Sequence, residues 1–428
     1  MAIVIPFRGI SYNLEKIHDL SYVTTPPYDV ISPQEQEAFY RCHPQNIIRL
    51  ILGKKNPDDT ADDNSHTRAA RCFKEWRDQK ILIQDASPAL YLTLIEFPIN
   101  GQVMQRFGLM ALVRLETFDK GIVLPHEHTF SKIKVEQLEL MKACHANFSP
   151  IFSLYSGNGI SEILKTAIAD KQPDMDFKDS PGHRQILWRI TDPKIHDAVS
   201  HAMADKKIYI ADGHHRYETA LNYRNYIASQ TPDFSPNHPA NFVLMYLAGM
   251  NDPGMVILPA HRMVKQAAIA EFLNRAKDFF EISAFGDQAR FLAALQTSPE
   301  NTIGAAIKHQ SECYLLTPKP GVMDKLFSDE LPESLRGLDV SVLTHLILMK
   351  ILGLDQAQLD DEHLITYSSS ADDAIDAAKS GRGDISFILN STKIEQVRQV
   401  AEAGLIMPRK STYFYPKVIT GQVINPLF

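Results

Sequence analysis

Asp212, Gly213, His214, His215 and Arg216 stand in a row, with Glu218 two positions further on. An acid, two imidazoles, a guanidinium and a second acid are more ionisable chemistry than a plain turn requires. The flanking sequence says what backbone carries them. Residues 208–211 are a short apolar run of strand type, and Asp212-Gly213 interrupts it. From His214 on, Tyr217, Ala220, Tyr223 and Ile227 recur at the spacing of a buried helical face. A strand that stops at a glycine and restarts as a helix aims several unpaired backbone N–H groups at one spot. Such a spot captures anions, phosphate foremost. Arg216 adds a planar fork suited to phosphate oxygens. Asp212 and Glu218 are candidates for a general base or for ligands of a magnesium ion bridging phosphates. The plainer alternative is a capped turn, with Asp212 as the cap and the histidines simply exposed.

Four further segments carry reactive types. Pro125-His126-Glu127-His128-Thr129 also lies where a strand gives way to a loop and helix. Two imidazoles two apart fall on one side of an extended segment, so His126 and His128 are candidate metal ligands, completed by His214 and His215. Glu127 is a candidate general base or magnesium ligand. A polar turn with a helix cap is the competing reading. Pro259-Ala260-His261-Arg262 puts another guanidinium, Arg262, at a strand end. Residues 407–417 set Arg409, Lys410 and Lys417 among aromatics and hydroxyls, which reads as a phosphate clamp, a base-stacking wall or a solvated strand edge. Near the N-terminus, Phe7-Arg8-Gly9 and the stiff Pro26-Pro27 segment present Tyr28 and Asp29. The phosphate-loop, dinucleotide and serine-elbow signatures are absent, and His-Glu-His-Thr is not a zincin motif.

Positioning these residues takes a mixed set of elements. A β-hairpin is expected over 89–118, turning at Asn100-Gly101. Short strands are expected at 122–124, 151–155, 185–190, 242–247 and 256–258. Ser131 is placed to cap a helix with Val135, Leu138 and Met141 on one side, and 193–204 reads as a helix. Beyond about 268, helical patterns (270–280, 340–352, 372–379, 394–403) alternate with strand patterns (313–316, 364–367, 385–389, 413–415), as in a separate α/β layer unit. The expected fold class is α+β, with one domain over 1–268 and a second α/β domain over 269–428.

The bulk numbers bound the function. A 428-residue chain with 44% apolar and 22% charged residues is ordinary for a soluble globular protein. Its net charge of −7 opposes a chain-wide nucleic-acid surface. Cys42, Cys72, Cys144 and Cys313 are widely separated and imply neither a disulfide framework nor a zinc ribbon. The N-terminus lacks a signal-peptide pattern, so a cytoplasmic location is expected.

Pro6-Phe7-Arg8-Gly9, Pro26-Pro27-Tyr28-Asp29-Val30, the 125–129 and 211–220 segments and 410–417 together resemble a large bacterial and archaeal family filed as a domain of unknown function, number 1015. The Asp-Gly-His-His-Arg box is also similar to the phosphate-binding box of ParB-like and sulfiredoxin-like proteins. That group includes nucleotide-binding partition proteins, an ATP-dependent sulfinic acid reductase and an ADP-dependent free serine kinase of archaea. The resemblance implies a ParB/sulfiredoxin-like first domain and assigns Gly213, His214, His215 and Arg216 to phosphate. Sulfiredoxin's reactive cysteine has no counterpart here, since His214 and His215 occupy its place. The expectation is a nucleotide-dependent small-molecule kinase using ATP or ADP with Mg, possibly on a free amino acid such as serine. Glu127, Asp212 and Glu218 would be its acids and bases, with Arg262 or Lys410 steadying the transferred group. The alternatives are a nucleotide-binding regulator without turnover and a metal-dependent hydrolase built on the histidines. The expected partners are a nucleotide and a small-molecule substrate. Neither nucleic acid nor membrane is expected, and a homodimer is compatible with the sequence.

Overall fold

A computed structural model of the chain describes residues 1–129, 131–157 and 159–428. Contacts divide the chain into two compact units, Met1–Met255 with Pro416–Phe428, and Val256–Tyr415. The sequence reading divides it at 268. The C-terminal segment belongs to the first unit through hydrogen bonding that no local pattern announces. Thr420 pairs with Thr25, Ile424 with Ile10, and Asn425–Pro426 with Ala146–Asn147.

The first unit is built on a nine-stranded mixed sheet. Its strands are β1 (Val4–Ile5), β2 (Leu90–Ile99), β3 (Gln102–Arg114), β4 (Val123–Leu124), β5 (Ile151–Tyr155), β6 (Met175–Lys178), β7 (Arg184–Ile190), β8 (Ile208–Asp212) and β9 (Phe242–Gly249). They lie in the order β4-β8-β5-β9-β3-β2-β7-β6, with β1 beside β3. The expected hairpin is β2–β3. Asn100 and Gly101 form its two-residue loop with φ of +49° and +77°, the left-handed pair that matches strand twist. β9 is buried at all eight positions. Such a strand, covered on both faces, reads as a continuous apolar run rather than an alternation.

Helices flank this sheet: α1 (Ser65–Asp78), α2 (Ser131–Cys144), α3 (Gly159–Ile168), α4 (Pro193–Met203) and α5 (His214–Gln230). Ile151, Ile208, Ile210, Met245, Val199, Met203, Tyr217 and Ala220 share one core cluster, so the first turns of α5 are pinned against the strand that precedes them. α2 packs on α1 and α5. Its buried residues are Leu140 and Cys144. Val135, expected on the packed side, is 59% exposed. Leu138 and Met141, expected beside it, do pack partly buried against the core.

The second unit carries a six-stranded sheet of β10 (His261–Val264), β11 (Phe280–Phe285), β12 (Ile303–Ile307), β13 (Cys313–Pro318), β14 (Ile365–Ser368) and β15 (Ile385–Ile388), in the order β11-β13-β12-β15-β10-β14. Every pairing is antiparallel. The alternation of helices and strands in the sequence therefore does not build crossover units here. The expected helix over 270–280 shortens to Phe272–Ala276 before β11 begins. The whole is α+β, as expected. Among the described residues no helix is long and apolar enough to cross a membrane.

Candidate functional site

The strand-to-helix turn forms where the sequence places it. β8 runs to Asp212, and its register against β5 slips between Ile210 and Asp212, a bulge that re-aims the strand end. Gly213 follows with φ +96° and ψ +31° and offers α5 no side-chain cap. The amide of Tyr217 donates to the Gly213 carbonyl at 3.1 Å. The amides of the residues between them have no acceptor within the helix. Glycine is required twice over, because φ is left-handed and a Cβ here would lie 2.9 Å from Cζ and Nε of Arg216.

Around this turn the charges are paired. Arg216 donates through Nη2 to Asp212 Oδ2 at 2.7 Å and through Nη1 to the Pro150 carbonyl. Lys417 Nζ donates to Asp212 Oδ1 at 2.5 Å. Asp29 Oδ2 stands 3.9 Å from Arg216 Nη2. Burial alone would raise the Asp212 carboxyl, but Lys417 and Arg216 outweigh it and hold the group far below the usual carboxylate range. Both cations move the other way. Burial lowers them, and Asp212 and Asp29 more than restore the charged forms.

A second cluster adjoins the first. The His126 amide donates to His214 Nε2 at 3.2 Å, and the two rings meet edge to face at 4.8 Å. An accepting Nε2 places the His214 proton on Nδ1, which lies 3.7 Å from Glu127 Oε2. Glu218 accepts from Thr129 Oγ1 at 2.8 Å and from Lys134 Nζ at 2.5 Å. Burial lowers His215 from its ordinary value, against the pull of Asp29 and Glu218.

This cluster makes the first unit acid-sensitive. Burial pulls His126 down to about 4, and burial followed by His126 lowers His214. An unfolded histidine titrates near ~6.5. Between that value and 4 the unfolded chain binds protons that the folded chain refuses, so stability is complete above the window and falls as pH drops through it. His126 alone contributes roughly 3 kcal/mol over the window. Trp76 and Trp188 both lie in the first unit. Urea unfolding followed by their fluorescence should show a loss of about 2 kcal/mol between about pH 7 and pH 5, and His126→Gln should flatten that dependence.

The structure thus gathers Glu127, Asp212, Gly213, His214, His215, Arg216, Glu218 and His126 in the first unit. His128 is exposed while His126 is buried. Among the described residues no group of three or more His, Cys, Asp or Glu is placed to hold a metal ion. Arg262 and Lys410 belong to the second unit. There Arg262 is buried and donates to the carbonyls of Ala260, Arg409 and Lys410 at 2.8, 3.0 and 3.3 Å. Burial lowers its guanidinium to about 10. Lys410 is exposed with φ +56°. Two functional neighbours carried a sequence signal without an assigned role, Asp29 after its proline pair and Lys417 in the cationic segment. Lys134 and the Pro150 carbonyl carried none.

Solved structures with some likeness of shape include a free serine kinase in complex with AMP. It is 13% identical, with a TM-score of 0.36, over 73% of this chain and 91% of that one. A conserved hypothetical protein from Pyrococcus furiosus is 13% identical, with a TM-score of 0.36, over 74% of this chain and 95% of that one. SbnI with a C-terminal truncation, from Staphylococcus aureus, is 11% identical, with a TM-score of 0.36, over 74% and 87%. No curated protein matches the chain. A family model described as protein of unknown function, DUF1015, matches residues 4–341, and the chain belongs to that family.

Proposed function

We propose that this protein is a nucleotide-dependent phosphotransferase acting on a small molecule, with ATP or ADP as donor. The observation that carries this reading is the uncapped start of α5 at Gly213, with Arg216 and Lys417 beside it. Phosphoryl transfer asks a protein mainly for positioning and charge neutralisation, and amides plus two cations supply both. The likeness of residues 212–216 to the ParB-like and sulfiredoxin-like phosphate box supports the same use. Asp212 is held ionised and has both oxygens on cations, so it organises Arg216 and Lys417 and takes up no proton near neutrality. Glu218 is engaged by Thr129 and Lys134. The base for an acceptor hydroxyl is assigned to Glu127, partly exposed beside His214 Nδ1 at 3.7 Å. A magnesium ion escorting the nucleotide would be held by its phosphates and one carboxylate, Glu127 or Asp29, and would neutralise phosphate charge. The acceptor is a small hydroxyl compound, a free amino acid such as serine among them, and the reaction is cytoplasmic.

The second reading, a nucleotide-binding regulator without turnover, draws on the pre-paired state of Asp212, Arg216 and Lys417. Calorimetric titration with ADP and ATP, followed by turnover assays with hydroxyl acceptors, separates the two. Gly213→Ala strains the left-handed position by about 1–2 kcal/mol and displaces the Arg216 guanidinium, so nucleotide affinity should fall at least ~tenfold. Undiminished binding in this variant would place the phosphates elsewhere, and tight binding without turnover would favour the regulator.

A further inference from the structure

The strand paths of the two large sheets end on β4, β6, β11 and β14. Three of these edges are blunted in the ways that keep edges from pairing. β4 is two residues long, β6 carries Asp176 and Lys178, and β11 carries Glu281. β14 is not blunted, since residues 365–370 contain no charge, proline or glycine. The Lys265 amide donates to the Leu364 carbonyl at 2.9 Å, and β10 pairs with β14 as Met263↔Thr366 and Arg262↔Tyr367. Bonded pairs alternate along an antiparallel ladder. Thr366 and Ser368 therefore bond to β10, while the amide and carbonyl of Tyr367 face the open side. Among the described residues no hydrogen bond reaches either of them. Thr366, Tyr367 and Ser368 are half-buried rather than sealed, and Ser369 is exposed. Such an edge takes an extended segment by strand addition.

Charge selects the occupant. Asp360 and Asp361 precede the strand, and Asp372 and Asp373 follow it in the first turn of the helix Ala371–Lys379. All four are exposed, and none forms an ion pair among the described residues. Arg409 is spent on Glu362 at 2.5 Å. A second copy of the chain is a poor match. Antiparallel pairing of two β14 edges about Tyr367 brings the acids before one strand toward those after the other, like charge against like. We propose that β14 is a docking edge for an extended segment of a partner protein, uncharged along the strand and flanked by lysine or arginine. Its backbone pairs with Tyr367, and its cations meet the four aspartates. This edge lies in the second unit and plays no part in the phosphotransferase reading.

The test titrates the full chain with a labelled peptide, acetyl-Lys-Lys-Thr-Val-Thr-Val-Thr-Lys-Lys-amide, by fluorescence anisotropy at about 50 mM salt. This peptide should bind. Its counterpart with glutamate at the four lysine positions should bind at least ~tenfold more weakly. A third form, N-methylated along the Thr-Val-Thr-Val-Thr core, keeps the charge but cannot donate to the edge, and should also lose at least ~tenfold. Asp361→Asn combined with Asp373→Asn should weaken the lysine peptide about fivefold and flatten its dependence on salt. Failure of the lysine peptide to bind, or equal binding of the glutamate or the N-methylated form, would overturn the proposal. So would a dimer in sedimentation that Tyr367→Pro dissolves, since proline removes the outward donor of an edge strand and the edge would then belong to a second copy.

Discussion

Asp212→Ala should lower the unfolding free energy of the first unit by about 3–5 kcal/mol. One carboxylate serves two cations here, Lys417 at 2.5 Å and Arg216 at 2.7 Å, and its side chain is only 16% exposed. Removing it takes the nearest counter-charge from two buried cations, and Asp29 and Glu127 replace it only in part. The loss comes from those charges rather than from the missing carboxylate, which a second substitution exposes. Lys417→Met in the Asp212→Ala background removes one of these two buried cations and should recover at least ~1 kcal/mol. Denaturant unfolding read by Trp76 and Trp188 measures both steps. Additive losses in the double variant would mean that the pair is solvated and contributes little.

Glu127→Gln should reduce the rate of the proposed phosphoryl transfer by about 10²–10⁴ while leaving nucleotide affinity within a few-fold. The carboxylate lies beside the uncharged His214, whose Nδ1 is 3.7 Å away, and it is 31% exposed. Glutamine keeps the shape and the acceptor oxygen but cannot take a proton. The acid limb of the pH–rate profile should vanish with the rate. Initial rates of acceptor-dependent ATP or ADP consumption check this. A variant that keeps the parent rate would shift the base to another group, with Asp29 next in line by position.

Much of the local architecture is readable from neighbouring residues. The 207–228 unit, the Asn100-Gly101 hairpin and the helix beginning at Ser131 each depend on interactions a few positions long. What failed was phase or identity at short range with weak patterns. Val135 is apolar at a helical spacing yet faces solvent, and five residues such as Ile303–Ile307, with a glycine and two alanines, resemble neither a strand nor a helix. The helical stretch at 270–280 gives way to β11 because Phe280–Phe285 finds a ladder on β13.

By itself the sequence determined that a strand would break at Gly213, that a helix would restart with its amides bare, and that acids, imidazoles and Arg216 would crowd that break. These follow from backbone sterics and periodicity, which act between neighbours. Only the tertiary structure decided which distant groups neutralise the crowd. Lys417 arrives from 205 positions away because the C-terminal segment returns to the first unit, and Asp29 and the Pro150 carbonyl close on Arg216 from two other parts of the chain. It equally sent Arg262 and Lys410 to the second unit. Coulombic and hydrogen-bond partners are chosen by distance in space, and no one-dimensional spacing encodes a meeting across hundreds of residues.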